Sequence, residues 1–260
     1  MGEYVDVDGL KTWFDSWGSG PPLVLLHGGF GSNAAWEPQA PALAEHFGVV
    51  APERRGHGHT PDAPGPITYE LMTRDTIGFI EAVVRGPAHL VGWSDGGNVA
   101  LMVAIERPDL VSKLVAISAN FDVSGVVPEM EEAARSMTAD GPELAFPRSE
   151  YGSISPDGPE HWPVVFEKVK RMVMSEPTLD PKELESITAP TLVVAADDDL
   201  VRLEHTIELY RSIPGAQLAI VPGASHMVVL EKPDVVSGLI LDFPTGRPHS
   251  HHDAHPPRSC

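Results

Sequence analysis

Short apolar runs recur along the chain: Leu23-Val24-Leu25-Leu26, Leu90-Val91, Leu114-Val115-Ala116-Ile117 and Leu192-Val193-Val194-Ala195. An uninterrupted run of this length, bounded by turn residues, suits a strand covered on both faces. Segments 47–51 and 216–221 read as further strands, and 4–15 as two short strands around an Asp8-Gly9 turn. Between the runs the spacing becomes helical. In 68–85 the apolar positions are Leu71, Ile77, Ile80 and Val84. Helices are also expected over 35–45, over 98–106 with a stop at Arg107-Pro108, and over 226–242. Buried strands alternating with amphipathic helices predict right-handed βαβ units: an α/β fold with a mostly parallel sheet.

One stretch breaks the rhythm. Between 121 and 190 there is no apolar strand run, only helical pieces at 128–138, 161–175 and 181–186 joined by Pro- and Gly-rich links. A connection of this length is too long for a structureless loop. It is read as a helical cap, 122–188, inserted into a core of 1–121 and 189–243. The remainder, 244–260, rich in proline and histidine, is expected to be a disordered tail.

Composition narrows the function classes. Among 260 residues, 18 Lys+Arg face 37 Asp+Glu, a formal charge of −19. Such a surface repels phosphate backbones and anionic lipid, so nucleic-acid and membrane partners are not expected. The single cysteine, Cys260, allows no intrachain disulfide, Cys-based zinc site or internal thiol nucleophile. No metal or cofactor is expected. The first ten residues carry Glu3, Asp6 and Asp8 and lack the basic start and apolar run of a signal peptide, so the expectation is a cytoplasmic protein.

The residues that carry chemistry begin with Gly92-Trp93-Ser94-Asp95-Gly96, a G-x-S-x-G pattern placed where an apolar strand ends and a helix begins. A serine on so sharp a turn has a strained backbone, and neighbours two residues away have no room for side chains. A hydroxyl needs a base and an orienting acid to become a nucleophile. Of twelve histidines, His226 alone comes late, after a strand and inside the domain. His57 and His59 lie in a Gly-rich loop, and His205 opens a helix read as a surface one. The acid belongs at the end of the preceding strand, where Asp197, Asp198 and Asp199 are adjacent.

In this order of nucleophile, acid and base, the chain resembles the α/β-hydrolases over about residues 3–243. The resemblance implies an eight-stranded, mostly parallel sheet with helices on both faces and a cap. The family's acid motif, Gly-Asp-x-Asp, is matched at Asp197 and Asp199 with Ala196 in place of Gly, which selects Asp199 and leaves Asp198 as the lesser candidate. It further implies an oxyanion hole from the amide of Asp95 and that of Gly29 or Phe30, in the loop His27-Gly28-Gly29-Phe30. His27 and the loop Arg54-Arg55-Gly56-His57-Gly58-His59 are expected to be braces. The elbow is similar to that of the valacyclovir hydrolase group, as is Ser118-Ala119-Asn120-Phe121 leading into the cap. That similarity implies substrate contacts from Asp95, Trp93 and Phe30, and for the Asp95 carboxylate either recognition of a substrate amino group or a hold by a nearby backbone donor or basic side chain with no substrate contact. Met130, Met137, Trp162, Met172 and Met174 either line an acyl site or form cap core. The implied activity is a serine hydrolase acting on a small carboxylic ester or lactone. Alternatives within the fold are a cofactor-free perhydrolase or haloperoxidase, a C–C bond hydrolase, and a ligand receptor that retains the three residues.

Overall fold

The structure is a computed structural model and describes residues 2–245. Among the described residues, eight strands form one sheet in the order β1-β2-β4-β3-β5-β6-β7-β8. They are β1 (Glu3–Val7), β2 (Leu10–Trp17), β3 (Pro22–Leu26), β4 (Gly48–Pro52), β5 (Ala88–Trp93), β6 (Val111–Ile117), β7 (Thr191–Asp198) and β8 (Gln217–Ser225). β1 and β2 form an antiparallel hairpin turning at Asp8 and Gly9, both at positive φ, and β2 runs antiparallel to β4. From β4 onward every pairing is parallel.

The unbroken apolar runs follow from burial on both faces. In β3, Leu23 and Leu25 point into one cluster with Trp36, Val91 and Val115, while Val24 and Leu26 point into the other with Leu90 and Leu114. All four leucine and valine side chains of that run are fully buried. Each contributes about 1.5–3 kcal/mol relative to exposure, which fixes β3 in the middle of the sheet.

Two of the expected helices are divided. Residues 35–45 split into a 3₁₀ turn (Asn33–Trp36) and α1 (Ala40–Ala44), because Pro38 and Pro41 interrupt a continuous helix. α2 (Tyr69–Phe79) begins on the Thr68 cap, whose hydroxyl accepts from the Leu71 amide. α3 (Asp95–Glu106) starts directly after Ser94, the strand–turn–helix setting of the G-x-S-x-G pattern. The final segment is two helices, α9 (Val228–Glu231) and α10 (Pro233–Thr245), divided at Pro233. α10 continues to 245, so residues 244 and 245 of the expected tail are helical; 246–260 lie outside the described residues.

Segment 122–188 holds α4 (Pro128–Ser136), α5 (Ala145–Ile154), α6 (Trp162–Val173) and α7 (Pro181–Leu184). α5 was not expected, since Pro147 and Gly152 inside it obscure its periodicity. α6 buries Trp162, Val165, Phe166, Val169 and Met172, an i, i+3, i+4, i+7 stripe. This stripe belongs to the same buried cluster as Val24 and Leu90, so these helices share a core with one face of the sheet. Lys168 Nζ donates to Asp62 Oδ2 at 2.6 Å and Ser32 Oγ to Glu150 Oε1 at 2.8 Å, tying the segment to loops at the strand ends. α8 (Leu203–Ser212) covers the sheet between β7 and β8, and its His205 is buried and stacked on Phe121 at 4.0 Å rather than exposed.

Candidate active site

β5 delivers Ser94 to the C-terminal edge of the sheet, where ligands of parallel sheets gather. Ser94 has φ 55° and ψ −123°, a conformation a non-glycine residue holds only under constraint. The constraint is visible in the flanking glycines: a Cβ on Gly92 would overlap the Gly96 carbonyl, and one on Gly96 the Leu26 carbonyl. The Ser94 amide donates to Ile117 O at 2.8 Å, and its carbonyl accepts from Gly97 and Asn98. Backbone on both sides therefore fixes the turn.

His226 follows β8, in the loop before α9, and its ring joins residues from three strands' ends. Its Nε2 lies 2.9 Å from Ser94 Oγ and its Nδ1 2.7 Å from Asp199 Oδ1. Asp199 Oδ1 also accepts from the Val201 amide, while Oδ2 accepts from Ser118 Oγ at 2.5 Å and the Ala196 amide. Burial alone would raise the Asp199 carboxyl. The hydrogen bond and charge of His226, then Ser118 and Val201, outweigh it and hold the group below the usual carboxylate range. Asp198 is exposed at the end of β7, and Asp197, also exposed, accepts from the Ala224 amide; neither takes the position of Asp199.

Ser94 and His226 open onto a cavity of about 280 Å³. Gly29, Phe30 and Asp95 line it beside them, so the expected oxyanion residues are brought to the serine. Phe30, at φ 56°, is strained like Ser94 and Ser118, which concentrates positive-φ non-glycine residues around one site. The Asp95 amide is the first of α3, where free N–H groups and the helix dipole favour negative charge.

Trp93 is a correction. It does not line the cavity: its indole is buried in the opposite cluster and donates from Nε1 to His226 O at 2.9 Å. Successive residues of a strand face opposite ways, so the residue before the elbow serine points under the histidine loop. The five candidate acyl-site residues divide. Met130, Met137 and Met174 line the cavity, whereas Trp162 and Met172 are buried in the core that α6 shares with the sheet.

Asp95 lines the cavity floor but has protein partners. Its Oδ1 accepts from the Tyr69 hydroxyl at 2.7 Å, and its charge supports the fully buried Arg54, whose guanidinium burial pulls below the usual arginine value. Asp95 Oδ2 is buried without a hydrogen-bond partner among the described residues. Arg54 Nη2 donates to Gly28 O at 2.8 Å, and its amide to His27 Nε2 at 3.2 Å. The loop after β4 thus holds the loop after β3. Burial and the Arg54 charge push His57 down to about 3 and His27 well below its ordinary value, so both rings stay neutral braces.

Sequence reasoning missed several residues of the site. Tyr69, Lys170, Glu176 and Asn98, the partner of Asn120, carry no local signal, because their roles depend on which elements meet over the strand ends. Among the described residues no three His, Cys, Asp or Glu side chains converge as metal ligands would. No helix there is long and apolar enough to cross a membrane.

Residues 23–239 match the model of the Alpha/beta hydrolase family. The chain is similar to the sn-1-specific diacylglycerol lipase ABHD11 of Mus musculus, 27% identical over 86% of this chain and 80% of that protein. It is similar to the 2-hydroxy-6-oxo-6-(2'-aminophenyl)hexa-2,4-dienoic acid hydrolase of Metapseudomonas resinovorans, 26% identical over 92% and 89% of the two chains. Among solved structures it resembles Est816, described as an N-acyl homoserine lactone degrading enzyme, with TM-score 0.77 and 26% identity over 93% of this chain and all of that one.

Proposed function

The chain belongs to the alpha/beta hydrolase family and is a hydrolase; from that premise we propose that it cleaves carboxylic esters or lactones of small molecules through an acyl-enzyme on Ser94. The observation that carries this is the hydrogen-bonded chain Ser94 Oγ, His226, Asp199 opening on the cavity. Ser94 Oγ attacks the carbonyl carbon as its proton passes to His226 Nε2. Asp199 keeps the Nδ1 proton in place and stabilises the imidazolium. The oxyanion is held by the amides of Asp95 and of Gly29 or Phe30. His226 returns the proton to the departing alkoxide, then deprotonates the water that attacks the acyl carbon, and the collapse of that second intermediate restores Ser94.

The cavity favours a neutral, apolar substrate. Phe30, Val123, Met130, Met137, Met174 and Leu200 are among its walls, and unbranched methionines adapt to chains of differing shape. The charged side chains on its lining are Asp95, Glu131, Glu176 and Lys170, with Glu131 paired to Arg135, which leaves the carboxylates in the majority. Lys170 Nζ already donates to Arg135 O and Met137 O. A carboxylate-bearing substrate, such as the dienoic acid in the name of the Metapseudomonas relative, would meet that excess of negative charge. The lining therefore supports ester over acidic diketone cleavage.

The test is a panel of nitrophenyl esters of increasing acyl length, with Ser94→Ala beside the wild type. Turnover lost by at least about 10³-fold, with an unchanged melting temperature, is expected for a nucleophile acting in concert with its base. Wild-type turnover in pure Ser94→Ala would end the acyl-enzyme reading.

A further inference from the structure

Ser118 is the first residue after β6 and one of the strained ones, at φ 51° and only 1% exposed. Its amide donates to Val194 O at 2.8 Å, extending the β6–β7 pairing by one residue before the chain turns away. Glycine is the residue that adopts this backbone without penalty. A serine is found instead, and its hydroxyl is spent on Asp199.

We propose that Ser118 is a positioning residue for the Asp199–His226 pair, fixing the carboxylate's orientation and drawing its charge toward Oδ2, away from the imidazole; this rests on the acyl-enzyme reading above. Each Asp199 oxygen has one short side-chain partner: His226 Nδ1 on Oδ1 at 2.7 Å and Ser118 Oγ on Oδ2 at 2.5 Å. The backbone contacts from Val201 and Ala196 are longer, both 3.2 Å. Two short bonds at opposite oxygens stop rotation about the carboxylate's own bond, so Oδ1 remains aimed at Nδ1. The Ser118 hydroxyl also draws negative charge toward Oδ2. With it removed, more charge faces His226 and the imidazolium is better stabilised.

Other charges flank the pair without hydrogen-bonding to its side chains. Asp197 and Asp198 end β7 and are exposed, and Glu231 of α9, followed by Lys232, is bound to Ser225. Asp95 is engaged with Tyr69, while Glu131, Lys170 and Glu176 line the cavity. None of these changes in a Ser118 variant, so a shifted titration reports the lost hydroxyl.

The experiment measures kcat/KM against pH with a nitrophenyl ester for wild type, Ser118→Ala, Ser118→Gly and Ser94→Ala. Ala keeps the backbone strain and Gly relieves it, while both lack the hydroxyl, so a fold defect in the first does not carry to the second. Both Ser118 variants are expected to lose about tenfold at the plateau and to move the acid limb up by about half a pH unit. A wild-type plateau and limb in Ser118→Gly would overturn the proposal, as would a lowered plateau with an unmoved limb in both variants. An inactive Ser94→Ala alongside either result removes the Ser118 role alone. An active Ser94→Ala removes the acyl-enzyme reading and this proposal together.

Discussion

At the floor of the cavity Ser94 is gripped by backbone, with Gly92 and Gly96 in van der Waals contact with carbonyls, whereas at its roof α4 has no buried residue at all. The floor tolerates no added atom. The roof presents Met130, Ala134 and Met137 to the cavity and is tied down through Lys170 Nζ at the Arg135 and Met137 carbonyls. Chemistry demands sub-ångström placement of Oγ, Nε2 and the oxyanion amides, so it is built where backbone packs on backbone. Substrate choice demands only shape and polarity, and is left to side chains on a lightly anchored helix.

The sharpest test of the floor is its acid. Asp199→Asn should lower kcat/KM by about 10⁴-fold, as loss of the carboxylate does in a serine protease. Asp197→Asn and Asp198→Asn, both at exposed sites, should stay within a few-fold of wild type under the same assay. A dead Asp198→Asn with a healthy Asp199→Asn would show that the floor is misassigned.

Floor and roof should also part in stability. Gly96→Ala forces a methyl against the Leu26 carbonyl and should cost about 3 kcal/mol, read as a fall in denaturation midpoint. Met130→Ala, at a half-buried position on the otherwise exposed α4, should cost less than about 1 kcal/mol. Equal costs would erase the distinction.

The brace beneath the floor carries a pH signature. Glu53, at the end of the β4 strand, is fully buried; burial raises its carboxyl to about 8, opposed by hydrogen bonds from the His59 and Asn33 region. Its folded value exceeds its ordinary 4.5, so its contribution is intact below that value and is lost as pH rises through 8. The wild type should therefore lose up to a few kcal/mol relative to Glu53→Gln across that window, measured by denaturation at a series of pH values. A constant difference would contradict the burial argument.

Roof variants should alter selectivity instead. Met137→Ala should raise kcat/KM for decanoyl over hexanoyl esters by roughly tenfold, the worth of a methylene or two in an apolar pocket, with activity on the shorter ester retained. The smallest effect expected is at Asp95. Because Tyr69 and Arg54 already answer its charge, wild type and Asp95→Asn should show the same ratio between α-amino esters and their des-amino analogues. An amino preference that shrinks about tenfold in Asp95→Asn would instead assign the carboxylate to substrate recognition.

Those parts of the molecule in which one residue type answers one local geometry are legible from the residues alone. Runs such as Leu23–Leu26 state that a strand is covered on both faces, and Gly92 and Gly96 mark a turn that allows no other side chain. Helix boundaries at Pro38 and Pro233, and the helix that runs through Pro147, are less legible, since proline both starts and breaks helices. Only the tertiary structure decided that Trp93 turns beneath His226, that three methionines face the cavity while Met172 does not, that Tyr69 reaches Asp95, and that Ser118 reaches Asp199 across 81 positions. The physical reason is that a backbone turn is set by its own few residues, whereas a cavity wall and a second hydrogen bond on a carboxylate depend on how distant elements pack, and no local periodicity records that.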